Sequence, residues 1–137
     1  MGARGGTRVP MAKKQRILIV EDDPSSLMLA TVALEADGFE VDGSGSAEEA
    51  RELLASRKPA LILMDIGMPG MDGLDFTREL KSTSKTSAIP IVALTANNMP
   101  LHERAAKAAG CEGFIPKPVS PAVLTAQVRA FLSRRAG

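Results

Sequence analysis

The chain has no tryptophan and no tyrosine, a single cysteine and a single histidine in 137 residues. Four phenylalanines are its only aromatic residues, which disfavours stacking on single-stranded nucleic acid as its occupation. One cysteine, Cys111, excludes an internal disulfide and fits a reducing cytoplasm. No apolar run approaches the roughly 20 residues that a membrane-spanning helix needs. No charged start followed by an apolar stretch and a small-residue cleavage site suggests export. Neither sign of charge dominates, the formal net being +1. Hydrophobic residues at 45% and charged residues at 24% make an ordinary soluble balance, enough apolar surface for one packed core and against wholesale disorder.

The basic charge is unevenly placed. Residues 1–16 hold Arg4, Arg8, Lys13, Lys14 and Arg16 with no acid, whereas the remaining chain is net acidic. Such an arm could touch nucleic acid or anionic lipid. Three glycines and a proline among its first ten residues specify no surface and favour a leader, with the natural chain beginning at Met11. Residues 1–14 are therefore expected to be a disordered basic tail and 15–135 one folded domain.

From residue 16 onward short apolar runs alternate with amphipathic stretches. Ile17–Val20, Leu61–Met64 and Ile91–Leu94 are continuously apolar and of strand length, the pattern of parallel strands buried on both faces. Phe39–Asp42 alternates and Phe114–Pro116 carries a proline, so these two read as edge strands. Asp23-Pro24, Ser46–Glu49 and Ser120-Pro121 open helices by capping or first-turn chemistry, a third helix follows Gly73, and a fourth starts near Pro100 and stops at Gly110. Five strands alternating with five helices predict an α/β fold, a flavodoxin-like doubly wound parallel sheet of order 2-1-3-4-5. Its ligand cleft lies beyond the carboxyl ends of strands 1 and 3.

The polar chemistry collects at those ends. Glu21, Asp22 and Asp23 follow the first strand, Asp65 the third, Thr95-Ala96 the fourth and Lys117-Pro118 the fifth. Crowded carboxylates repel one another unless a cation sits among them. Oxygen-only ligation favours a hard cation, most simply Mg²⁺ with Mn²⁺ as substitute. Mg²⁺ recruits phosphate oxygens, an amine and a hydroxyl can hold others, and a carboxylate such as Asp65 can attack phosphorus. The site reads as phosphoryl transfer onto an aspartate, against the alternative of a structural cation site.

The segments Leu18–Pro24, Leu63–Gly73, Leu94–Ala96 and Lys117-Pro118 together resemble the signature set of the receiver domain of two-component response regulators, over roughly Gln15 to Leu132. The likeness is particularly to stand-alone receivers. It implies a phosphoprotein in which Asp65 is phosphorylated, with Asp22 the closer metal ligand and Glu21 acting through water. The Gly67 carbonyl would be a further metal ligand, and Gly67 and Ala96 would meet the phosphoryl group. Thr95 would be the switch hydroxyl, Lys117 the ion-pair partner, and Phe114 the aromatic that turns inward, here by packing alone since it has no hydroxyl. Lys117-Pro118 would carry a cis peptide. Gly67 and Asn97 would line the path of a hydrolytic water and set the phosphoryl lifetime.

The resemblance further implies a histidine kinase or histidine phosphotransfer protein as donor, a downstream protein target, and output through the fourth helix, fifth strand and fifth helix. It implies a cytoplasmic monomer or weak dimer, with self-dephosphorylation but no conventional turnover. The chain ends a few residues past the last helix, so direct DNA binding is not expected. A phosphorelay shuttle or a receiver fragment of a larger protein fits equally, and a docking-only module is the weaker alternative. A haloacid-dehalogenase-like phosphatase needs a second Asp two residues after its nucleophile, where Gly67 stands. The first helix is apolar nearly all round, through Leu27, Met28, Leu29, Ala30, Val32, Ala33 and Leu34, and is expected to leave apolar surface for a partner or to bury a wide stripe. His102 is expected at the surface, Cys111 in the core, and Met68, Met71 and Met99 in loop packing.

Overall fold

Alternation of buried strands and half-buried helices builds a single three-layer sandwich. The computed structural model describes residues 14–67, 73–95, 100–117 and 119–136. In chain order these form β1 (Arg16–Val20), α1 (Pro24–Ala36), β2 (Glu40–Ser44), α2 (Ala47–Ser56), β3 (Leu61–Asp65), α3 (Gly73–Ser82), β4 (Ile91–Thr95), α4 (Pro100–Ala109), β5 (Gly113–Pro116) and α5 (Pro121–Ala136). All pairings are parallel, in the order β2-β1-β3-β4-β5.

The strand period of two sorts the core into halves. Ile17, Ile19, Leu61, Leu63, Val92 and Leu94 face the layer of α1 and α5, where Leu34, Leu124 and Val128 meet them. Leu18, Val20, Ile62, Met64, Ile91 and Ala93 face the opposite layer, against Ala50, Phe76, Leu80 and Ala106. Every residue of β3 and β4 is buried, and each such aliphatic side chain contributes on the order of 1.5–3 kcal/mol. β2 and β5 are the edges, and both differ slightly from the sequence expectation. β2 starts after Phe39, which packs into the core instead of opening the strand. Its outward charges, Glu40 and Asp42, pair with Arg16 at 2.9 and 3.1 Å, a device that keeps an edge strand from recruiting another.

Local signals explain the helix ends. Asp23 Oδ2 accepts the Ser26 N–H at 2.9 Å ahead of Pro24, and Gly38 leaves α1 with φ of 96°, a conformation costly for residues with a Cβ. Ser46 Oγ accepts the Glu49 N–H at 3.1 Å. The reciprocal half of the capping box is displaced by one residue. Glu49 Oε1 takes the Gly45 N–H at 3.0 Å, because the Ser46 N–H is already given to Ser44 Oγ.

Cys111 is buried at the corner between α4 and β5, as expected. Burial raises its thiol to about 11 although the Thr77 hydroxyl opposes the rise, so it stays a neutral thiol near pH 7.

Candidate functional site

The carboxyl ends of β1, β3, β4 and β5 place Glu21, Asp65, Thr95 and Lys117 at one rim of the sheet. Each strand end is pinned by its neighbour. The Glu21 N–H donates to Ser44 O at 2.8 Å, the Ile66 N–H to Leu94 O at 3.0 Å, and the Lys117 N–H to Thr95 O at 2.6 Å. Glu21, Asp65 and Thr95 are buried, Lys117 is half-buried and Asp22 is exposed.

Lys117 is the hub. Its amine donates to Glu21 Oε1 at 2.5 Å and to Asp65 Oδ2 at 3.2 Å. The second Glu21 oxygen accepts the Asp23 N–H at 3.1 Å, and Asp65 Oδ1 accepts the Gly67 N–H at 2.8 Å. Burial raises the Glu21 carboxyl above its ordinary value, a rise that the Lys117 hydrogen bond opposes and the nearby Asp65 reinforces. Burial disfavours the Lys117 ammonium, yet the bond to Glu21 and the charge of Asp65 outweigh it and raise its pKa. Desolvation thus prevails at Glu21 and is overcome at Lys117, and the hydrogen bonds to both partners offset part of its cost.

Glu21, Asp22 and Asp65 each offer a carboxylate oxygen, and these oxygens lie within 4.8 Å of one another. Three acids against one ammonium leave an excess of negative charge, and the donors are all oxygen. That set fits a hard divalent cation such as Mg²⁺ and does not suit a thiophilic one.

The sequence-predicted residues are therefore largely brought together. Gly67 reaches the site by its N–H on Asp65, a contact that residue types alone did not signal. Nor did they signal that Lys117 would divide itself between Glu21 and Asp65, since lysine reach is compatible with either. Phe114 is half-buried and packs against the core layer under α3 and α4. Ala96, Asn97, Pro118, Met68, Met71 and Met99, and the side chain of His102, lie outside the described residues.

Beside the rim, a cavity of about 380 Å³ opens between α1 and α5, lined by Leu29, Ala30, Val119 and Leu124 with Glu21 and Lys117 at its polar end. Next to it Met28, Leu29 and Val32 are 67%, 65% and 60% exposed. The exposed large apolar residues among those described all sit on α1 or, as Val123, on α5.

The family profile described as response regulator receiver domain matches residues 17–129. The chain belongs to the response regulator receiver domain family. This receiver domain is 36% identical over 121 residues to the DNA-binding response regulator MtrA of Mycolicibacterium smegmatis, covering 88% of this chain and 52% of that protein. It thus spans about half the length of the curated relatives it matches. Among solved structures it is similar to a putative response regulator from Chloroflexus aurantiacus, with 30% identity, a TM-score of 0.83, and coverage of 89% of this chain and 100% of the other. It is also similar to the chemotaxis response regulator CheY4 of Vibrio cholerae, at 26% identity and a TM-score of 0.81, covering 86% and 98%. The fold of this receiver domain is that of its relatives, and no helix among its described residues is long and apolar enough to cross a membrane.

Proposed function

We propose that this receiver domain takes a phosphoryl group onto the Asp65 carboxylate from a phosphohistidine of a histidine kinase or histidine phosphotransfer protein. The observation that carries the reading is the meeting of Asp65, Glu21, Asp22 and Lys117 at one sheet rim. An Asp65 oxygen forms the new O–P bond as the P–N bond breaks, and the donor imidazole keeps the electron pair and takes up a proton. Glu21, Asp22 and Asp65 would hold Mg²⁺ or Mn²⁺, with the Gly67 carbonyl as a further ligand, and the bound ion would supply positive charge to the phosphoryl oxygens. Lys117 neutralises another phosphoryl oxygen from the position in which it already touches Asp65. The Ala96 N–H would be a backbone donor to the same group, joined by the Gly67 N–H once it leaves Asp65 Oδ1.

The acyl phosphate then acts through charge. Its added negative charge draws Lys117 and the Thr95 hydroxyl, shifting an existing equilibrium, and Phe114 repacks in the space so altered. Output is read at α4, β5 and α5 by a downstream protein. Self-dephosphorylation by water past Gly67 and Asn97 resets the domain, so it is a phosphoacceptor without conventional turnover. A cytoplasmic shuttle in a phosphorelay and a receiver within a larger protein are both compatible with this chemistry.

The test is intact-mass measurement after incubation with acetyl phosphate. A gain of one phosphoryl group that requires Mg²⁺, and that Asp65→Asn abolishes while its circular dichroism stays native, is expected. Labelling that persists in Asp65→Asn would overturn the assignment.

The apolar outer face of α1 beside the rim is the proposed seat of the donor, because a histidine must be carried to Asp65 past it. Leu29→Lys places a charge at the mouth of the cavity. It is expected to slow transfer from the cognate phosphorylated donor about tenfold and to leave labelling by acetyl phosphate unchanged. Equal rates with the protein donor would remove α1 from the docking surface.

A further inference from the structure

We infer that Gly73 and Thr77 are positioning residues for the acceptor, the first turn of α3 acting as a backstop for the Asp65 main chain. The inference rests on the reading of Asp65 as the phosphorylated residue. Gly73 begins α3 and lies directly against the end of β3. A Cβ at Gly73 would stand 2.8 Å from the Asp65 carbonyl oxygen, 2.8 Å from Ile66 Cα and 3.3 Å from Ile66 Cγ2. Two of these three are backbone atoms, which cannot swing aside as the end of a side chain can.

Those backbone atoms are themselves held. The Ile66 N–H is committed to Leu94 O on β4 at 3.0 Å, and the Gly67 N–H to Asp65 Oδ1 at 2.8 Å. Any side chain at position 73 must therefore either lift α3 off the sheet or displace the main chain from which the Asp65 carboxylate projects. The second movement also disturbs the bond that aims Oδ1. Glycine is a poor helix former, so local helix propensity does not account for its presence here, whereas the close approach does.

Thr77 fixes the same turn from the other side. It is fully buried, and its Oγ1 donates to Gly73 O at 2.8 Å. A threonine hydroxyl bonded one turn back is a common way to satisfy a buried helical polar group. Here the carbonyl it holds belongs to the residue that touches the acceptor. Neither residue touches the phosphoryl group. Both act through Asp65.

The experiment compares the initial rate of Mg²⁺-dependent phosphoryl gain from acetyl phosphate, per folded molecule, in wild type, Gly73→Ala, Thr77→Val, Thr77→Ser and Gly110→Ala. Gly110 has φ of 114° and a Cβ there would meet Lys81 Cγ at 2.7 Å, so its alanine variant strains the fold at the far end of the sheet. Gly73→Ala is expected to slow the rate about tenfold, since displacement by a fraction of an ångström is costly at a reacting carboxylate. Gly110→Ala is expected to melt lower yet keep the wild-type rate. Thr77→Val is expected to slow it by about threefold, with Thr77→Ser restoring it. The Gly67 amide proton resonance, which reports the bond to Asp65 Oδ1, is expected to move in Gly73→Ala and Thr77→Val and to stay in Gly110→Ala.

A wild-type rate in folded Gly73→Ala, or Thr77→Val with a wild-type rate and an unmoved Gly67 amide, would overturn the inference. If Gly73→Ala fails to fold, the Thr77 pair decides. If the wild type itself gains no phosphoryl group, the acceptor reading fails, and the Gly67 resonance still tests the backstop on its own.

Discussion

Lys117→Met is expected to slow phosphoryl gain at Asp65 by about two to three orders of magnitude. The amine is the cation that touches both buried carboxylates, at 2.5 Å on Glu21 and 3.2 Å on Asp65. Removing it withdraws the charge that would meet the developing charge on phosphorus, and it strands Glu21. The stranding gives a second signature in solution without a divalent cation. Glu21 already has its pKa raised by burial with Lys117 present, and the variant removes the bond that opposes the rise. A carboxyl whose folded pKa is raised contributes stability that is present below its unfolded value and lost as pH climbs through the folded one. The gap in melting temperature between Lys117→Met and wild type should therefore be wider at pH 8 than at pH 5, measured in EDTA. In the more alkaline range the gap narrows again, because the raised pKa of Lys117 makes its contribution to the wild type disappear as pH rises through its folded value. A constant gap from pH 5 to pH 8, or phosphoryl gain within tenfold of wild type, would mean that Lys117 is not the partner described.

Gly113→Ala is the variant expected to cost the most stability without touching the chemistry. A Cβ on Gly113 would stand 2.0 Å from Phe131 Cζ and 2.4 Å from Cε1, inside the ring of the largest side chain on α5. That ring is buried in the core, and Arg134 lies over it at 4.7 Å. Overpacking of this kind costs about 1–3 kcal/mol, and the severity of the overlap puts the expectation at the top of that range. Urea unfolding should show a lower midpoint with an unchanged slope. Phe131→Leu in the same chain should recover part of the loss, a coupling that two independent changes would not show. An unchanged midpoint would mean that α5 gives way to β5 freely, and that Gly113 is not required there.

Both residues illustrate what the sequence could and could not convey. The central strands were legible because Ile17–Val20, Leu61–Met64 and Ile91–Leu94 are apolar without interruption and too short for a buried helix, the pattern of a sheet covered on both faces. The edges were legible from the alternation at Phe39–Asp42 and from Pro116. Strand order then followed, and with it the gathering of Glu21, Asp65, Thr95 and Lys117, since parallel strands put all their carboxyl ends on one rim.

The contacts within that gathering were not legible. Lysine at position 117 has reach enough for either carboxylate, and only the geometry shows that Glu21 takes the shorter bond. Gly73 and Gly113 read as a helix opener and a strand residue. That each marks a place where backbone meets backbone, or backbone meets a ring, depends on elements far apart in sequence. The outer face of α1 lies between. Its composition announced more apolar surface than a single sheet contact could bury, and Met28, Leu29 and Val32 are the exposed remainder.

The Asp65 carboxylate is expected to carry the phosphoryl group as an acyl phosphate. Borohydride reduces an acyl phosphate to the alcohol and releases inorganic phosphate, leaving a free carboxylate untouched. Wild-type protein labelled with acetyl phosphate and Mg²⁺, reduced and sequenced by tandem mass spectrometry, should show homoserine in place of Asp65 and at no other aspartate. Reduction at a different acid, or a phosphoryl group retained on Thr95 or His102, would contradict it.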